Sequence, residues 1–446
     1  IKHTFSNSAI ILFAMKRLLV SALVALSLPL VAPTNSASAA TSSCSKVGST
    51  KTVSGTKFTC RLVSKKRVWV KVAAGKSTTS TTVPKGPAPT VSPDTAFAST
   101  SECKLKSFET PNTLGFPRPS FRGSWTNPRA LVIPVQFSDT GSNGRNYQEM
   151  VDMMKKQSDF YRAQSLGRLN LSFVWTPTDV ATKKPTILKV PYSAVDEGLV
   201  GICDKCDRTE LMTRILSHTP VSWDLSSYET IIAMLDDRRI SVVGVAFRAA
   251  AEYPNVNGAW NKPIPSPSGL VYSSMITTPS LIPHEMGHSL LGFIDLYDFS
   301  APARDFTKGW DIMGTGSTGQ QSDSFFAWHK WISGWFDDPK VDCVTKAGTT
   351  VHYLDDLDTA NSLNKMVVVR KNATTAIVAE VRTERVVIYR VLMDVWGGSG
   401  PIITNDATTF KVNPKVGDTV TESGVSFKIL DCRSGGCSVE VTNPAA

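Results

Sequence analysis

Acidic side chains are missing from the start of this chain: no Asp or Glu precedes Asp94. The same stretch holds 13 of the 48 Lys and Arg, which leaves 35 against all 38 Asp and Glu in the remainder, a net of −3. The overall net charge of +10 is therefore a property of the N-terminal region. The main body lacks the basic stripe of a general nucleic-acid binder, which excludes that class. Long hydrophobic segments are also scarce. The apolar run at 18–31 is too short to span a bilayer comfortably, so no stable transmembrane segment is expected. Histidine is rare, with six in 446 residues. No internal repeat is evident.

The short apolar run has a clear reading. It follows Met15, Lys16 and Arg17 and precedes small residues that include Ala37-Ser38-Ala39. That order is the charged region, apolar region and cleavage site of a secretory signal peptide, placed here at 1–40. Met15 is the expected true start, and the protein is expected to be secreted or cell-surface associated.

Export gives meaning to the eight cysteines. An even number in an exported chain predicts disulfides. Cys44 with Cys60 and Cys432 with Cys437 read as local pairs. Cys203 and Cys206 form a CDKC motif, read as a local disulfide because no second CxxC completes a four-cysteine metal site. Cys103 is open to two readings: a bond to Cys343, or a thiol that blocks a metal from a short propeptide at 101–129.

Residues 41–75 read as a small basic module of short strands, stapled by its disulfide. With many basic residues and no acid, it is either a solvated face or an attachment to an anionic cell-surface polymer. Residues 76–100, rich in Ser, Thr and Pro, read as an extended linker. Residues 101–345 follow as the main domain. The run at 130–137 (ALVIPVQF) predicts a buried strand, and 147–164 has helical spacing of Met and aromatic residues. Strands are also expected at 169–175, 230–235, 240–247 and 269–277. Strands beside helices without regular alternation predict α+β. Residues 346–446 carry short β-rich runs at 365–370, 376–382, 386–393 and 425–430. Their spacing predicts a small β-sandwich-like domain.

The chemistry concentrates in PHEMGHSLLGFIDLYDFS, 283–300. On a helix, His284 and His288 lie one turn apart on one face. Two imidazoles so placed can share one Zn2+ at about 2.0–2.1 Å each, with Glu285 beside the open coordination position. Pro283 suits the first turn and Gly292 the C-terminal cap. The bland alternative is a surface helix with two solvated histidines. Met286, Leu290, Leu291 and Phe293 argue against it, because a helix so apolar is buried. Two histidines and a glutamate buried without a partner would be costly. Asp295 is the first choice of third ligand, since Gly292 can turn the chain back toward the metal. Asp298, Asp311 and His329 are the alternatives; His218 and His352 have no supporting context. His329, in an aromatic-rich helix, is read as a packed histidine.

The stretch from His284 to Asp298 resembles the extended signature of the immune inhibitor A-like secreted zinc metallopeptidases. Other matches follow in the same order: IPVQFSD at 133–139, DFYRAQSLGRLNLS at 159–172, GWDIMGTGS at 309–317, AWHKWISGWFDDP at 327–339 and IVAEVR at 377–382. One departure stands out. The family has Gly three and Asp six residues after the second His; here Gly292 and Asp295 come four and seven after His288. The resemblance implies a zincin-type peptidase domain at 101–345, followed by the β-rich domain. It implies His284, His288 and Asp295 as zinc ligands, Glu285 as general base and Met313 as the apolar floor beneath the metal. Tyr297 either steadies the oxyanion or packs as support. The fold type also implies that 269–277 is the edge strand that pairs with substrate. The expected activity is a monomeric, secreted endopeptidase acting on proteins or peptides. Two rivals remain: a non-catalytic surface-binding protein on this scaffold, and a zinc hydrolase of a cell-wall amide. The acids at 196–207 are a candidate site for structural Ca2+, against a solvated acidic loop.

Overall fold

The structure is a computed structural model. It describes residues 49–53, 56–63, 66–71, 97–107, 114–117, 126–200, 208–220, 222–223, 225, 227–240, 244–248, 269–273, 281–300, 304–314, 324–360, 364–409, 412–433 and 435–444. These fall into two compact units, one within 14–90 and one within 91–446. The signal peptide at 1–40, the linker core, Cys203 and Cys206 lie outside the described residues.

The first unit is an antiparallel meander of β1 (Thr50–Val53), β2 (Thr56–Val63) and β3 (Lys66–Lys71). Cys60 is fully buried and disulfide-bonded. Its expected partner, Cys44, lies outside the described residues.

The second unit is mixed α+β, richer in sheet than in helix. It opens with α1 (Thr100–Cys103), β4 (Arg129–Gln136), α2 (Tyr147–Gln164), β5 (Ser172–Trp175) and β6 (Leu188–Lys189). Then come α3 (Arg208–Ser217), β7 (Thr230–Leu235), β8 (Gly244–Arg248), β9 (Gly269–Ser273), α4 (Leu281–Leu291) and α5 (Ala327–Ile332). The strands form a sheet in the order β5-β4-β7-β9-β8, with β6 also paired to β4. All pairs are parallel except β8 with β9. β4 reads as one apolar run because both its faces are covered. Ala130 and Val132 join the cluster that holds Met150 and Tyr161 of α2 and Met286 and Leu290 of α4. Leu131, Ile133 and Val135 join a second cluster with Leu211 and Ile215 of α3. The expected edge strand is corrected here. Among the described residues, β9 lies between β7 and β8, and the antiparallel β8 is the edge.

Among the described residues nine strands follow: β10 (Val341–Val344), β11 (Gly348–Asp355), β12 (Met366–Arg370), β13 (Thr375–Arg382), β14 (Arg385–Leu392), β15 (Ile402–Thr404), β16 (Thr419–Glu422), β17 (Val425–Arg433) and β18 (Gly436–Asn443). They make two sheets, β10-β12-β13-β14-β15 and β11-β18-β17-β16. Val367, Val369, Ile377 and Ile388 of the first share a core with Phe427, Ile429, Val439 and Val441 of the second. The intervening residues Met366, Val368, Val378 and Tyr389 point the other way, into the cluster around α4 and α5. The five-stranded sheet is thus buried on both faces, which explains runs such as MVVVR. The cluster is continuous across residue 346, so α4 and the β-rich segment share one core. Cys103 bonds to Cys343 and Cys432 to Cys437. Among the described residues, no helix is long and apolar enough to cross a membrane.

Candidate metal centre

α4 is held at three places. Tyr161 of α2 donates its hydroxyl to Pro283 O at 2.6 Å. Thr230 of β7 bonds Ser289 Oγ at 3.1 Å. At the C-terminal end Gly292 has φ +60, the left-handed conformation glycine adopts without a Cβ penalty. Phe293 N–H closes the helix on Gly287 O at 2.9 Å. That bond reaches back six residues, one more than the usual glycine-capped closure.

Two carbonyls orient the imidazoles. His284 Nδ1 donates to Ile312 O at 2.8 Å, and His288 Nδ1 donates to Phe293 O at 2.6 Å. A carbonyl only accepts, so each Nδ1 carries the hydrogen, and each Nε2 presents a lone pair when its imidazole is neutral. The two Nε2 atoms stand 3.2 Å apart. Asp295 Oδ1 lies 3.1 Å from His284 Nε2 and 3.3 Å from His288 Nε2. It is buried and makes no aligned hydrogen bond. Three acceptors thus face one point, an arrangement that repels itself unless a cation or a proton sits among them.

The dimensions can be compared with those of a tetrahedral site. Donors about 2.0–2.1 Å from a tetrahedral ion stand about 3.3 Å from one another. The observed triangle of 3.1, 3.2 and 3.3 Å has that size, and its donor set of two imidazoles and one carboxylate suits zinc-like ions. The three side chains are 14, 20 and 18% exposed, so the cluster is only partly shielded from solvent. Burial opposes charge on His284, but pairing with Asp295 outweighs it and raises its pKa to about 9. His288 is raised in the same way. Burial works against the Asp295 carboxylate, yet the two imidazoles hold its pKa well below the usual range. Glu285 is buried on α4, and its charge adds to the pull on both imidazoles.

Of the other residues read from sequence, Tyr297 and Met313 lie at the centre. The Tyr297 ring is 6.5 Å from that of His284. Met313 is fully buried, and its Sδ would be 2.6 Å from a Cβ at Gly287. The alternatives for a third ligand are engaged elsewhere. Asp298 accepts from Ser300 N and Oγ at 2.8 and 2.6 Å. Asp311 binds Met313 N at 2.8 Å and His329 Nδ1 at 2.8 Å, and His329 stacks on Phe293. Asp311 therefore braces the turn whose Ile312 carbonyl aims His284. His218 bonds Tyr192, and His352 bonds Asp342.

Among the described residues, His284, His288 and Asp295 are the one trio of such groups whose ligand atoms all lie within 4.8 Å. Of the candidate calcium acids, Glu197 pairs with Arg214, and 201–207 lie outside the described residues. Cys103, in its disulfide, offers no thiol to a metal. The reading from sequence passed over Gly287. Its signal was available: a glycine inside a helix costs about 1 kcal/mol relative to alanine, so it points to a packing reason. No protein-family model matches the chain, and no curated protein matches its sequence.

Proposed function

We propose that the chain is a secreted zinc-dependent endopeptidase of the immune inhibitor A-like kind, with a zincin-type catalytic region. The observation that carries this reading is the triangle of His284 Nε2, His288 Nε2 and Asp295 Oδ1, each side 3.1–3.3 Å, with Glu285 next to the first ligand on the same helix. The ordered resemblance from IPVQFSD to IVAEVR supports it independently.

His284, His288 and Asp295 would hold the ion. Zinc held there would supply Lewis acidity and would lower the pKa of a bound water toward about 7. Glu285 accepts the proton of the attacking water at its carboxylate and hands it to the leaving amine. The carbonyls of Ile312 and Phe293 keep both Nε2 atoms bare and aimed. Tyr297, whose ring lies 6.5 Å from that of His284, would donate to the developing oxyanion. β8, antiparallel and at the sheet edge, takes the place expected of the strand that pairs with extended substrate.

Casein digestion tests this against both rivals. The unaltered protein should digest casein, stop with a zinc chelator and recover on adding zinc. Glu285→Gln should retain zinc and lose about 10²–10⁴-fold in rate. A surface-binding protein would digest nothing, and a wall amidase would spare casein while cleaving peptidoglycan. Full activity of Glu285→Gln would remove the assigned base.

A further inference from the structure

We propose that the loop at 393–401, which joins β14 to β15, belongs to the metal centre and that Gly398 is its positioning residue. The inference rests on the zinc reading above.

Asp295 stands on a strap of irregular chain at 292–299, which has no helix or strand of its own to fix it. One side is held by the turn beneath the metal helix, where Leu296 N–H donates to Met313 O at 3.0 Å. The other side is held by the loop at 393–401. Gly398 N–H donates to Asp295 O at 3.0 Å, and Phe299 N–H donates to Gly398 O at 2.9 Å. Asp298 and Ser399 form an antiparallel bridge between these two bonds. The third ligand is therefore tied at its own carbonyl by a residue about 100 positions later in the chain. With that carbonyl and the next amide both fixed, the carboxylate is left little more than its side-chain torsions.

The loop reads WGGSGP at 396–401, which by composition alone resembles a flexible linker. Its glycines serve a different purpose. Gly398 has φ +75, and a Cβ there would fall 2.3 Å from two ring carbons of Phe299. A Cβ on Gly397 would fall 3.0 Å from Ile294 Cβ. Gly400 has φ +74, and its Cβ would meet the Phe306 ring at 2.4 Å. Each glycine lets the loop approach a different residue, Ile294 and Phe299 on the strap that carries Asp295 and Phe306 on the segment leading to Met313. β15 continues the brace, with Thr404 N–H donating to Phe306 O at 2.9 Å and Thr404 Oγ1 to Thr307 O at 3.1 Å. The bracket spans both chain segments that carry the third ligand and the apolar floor.

Zinc affinity of the full-length chain, measured by chelator competition, tests this. Gly398→Ala should weaken zinc about 10–100-fold, the range typical of partners that orient metal ligands. Gly397→Ala, which presses on Ile294 without a left-handed backbone, should weaken it less and carries the test should Gly398→Ala misfold. Gly417→Ala is the control: φ is +96 there and nothing lies within 4 Å. It should cost stability and leave zinc affinity unchanged. His288→Ala should lose zinc. The inference is overturned if His288→Ala loses zinc while both loop variants bind as the unaltered protein does, or if Gly398→Ala and Gly417→Ala weaken zinc equally. Should His288→Ala keep zinc, the metal reading falls, and this inference with it.

Discussion

A Cβ placed on Gly287 would lie 2.6 Å from Met313 Sδ, closer than side chains approach. Met313 is fully buried, so its sulfur cannot swing into solvent. Two effects then oppose each other in Gly287→Ala. Helix propensity favours alanine by about 1 kcal/mol. Overpacking costs about 1–3 kcal/mol. The net change in folding stability is therefore small, but the displacement is aimed. Met313 follows Ile312, whose carbonyl orients His284. The expected outcome is a metal-free melting temperature within a few degrees of the parent, with zinc affinity down about tenfold. Unchanged zinc affinity would show that Met313 can move without disturbing the ligand.

Asp295 and Asp298 offer a direct comparison of two neighbouring carboxylates. Asp295 Oδ1 is buried between two imidazole nitrogens, whereas both oxygens of Asp298 are bonded to Ser300. Asp295→Asn keeps the volume and removes the charge. Zinc affinity should fall beyond the roughly 10–100-fold typical of an orienting partner. Asp298→Asn should leave it unchanged. Equal losses in the two variants, measured by chelator competition, would return the third ligand to the open set read from sequence.

The pH dependence follows from His284, whose pKa in the metal-free protein is raised from 6.5 to about 9 despite burial, through its pairing with Asp295. A group bound to its proton more tightly when folded stabilises the fold in its charged form. This contribution is fully present below about 6.5 and is lost as pH rises through about 9. Asp295 acts in the opposite sense. Its lowered pKa contributes stability above the ordinary carboxylate range that is lost as pH falls below it. The metal-free protein should therefore gain most from this pair between about pH 4 and 6.5. Its melting temperature should decline toward pH 9 by more than that of Asp295→Asn. Zinc must displace the same proton, so its affinity should rise with pH up to about 9 and then level. A melting temperature as flat toward pH 9 in the parent as in Asp295→Asn would sink the pairing argument.

Much of the scaffold was legible in local pattern. The run at 130–137 becomes β4 because both faces meet apolar clusters, and 147–164 becomes α2 with Asn146 accepting from Glu149 N–H as its cap. The spacing of His284 and His288 predicts two imidazoles on one helix face, and both lie on α4. What escaped the sequence reading depends on contacts between distant segments. The order of β8 and β9 is fixed by pairing across the sheet, to which neither strand's composition refers. Asp311 reads in the sequence only as an alternative third ligand, and its bonds to Met313 N and His329 make it a brace. The loop at 393–401 acts on Asp295 through backbone groups and the absence of side chains, neither of which leaves a periodic signal.

Cys103 separates two readings that the sequence left open. As a free thiol in a removable N-terminal piece it would block the metal, and its replacement would raise activity. The structure bonds it to Cys343, 240 residues away. Both sulfurs are buried in the cluster that also holds Met286 and Met313. Closing so long a loop restricts the unfolded chain, and removing such a bond typically costs about 2–5 kcal/mol. The double variant Cys103→Ser, Cys343→Ser should therefore unfold at lower temperature and at lower denaturant concentration. Its zinc affinity and its rate on casein at 25 °C should match the parent, because no ligand or orienting carbonyl belongs to either cysteine. A rise in activity with unchanged stability would favour the blocking thiol and place the disulfide outside the functional protein.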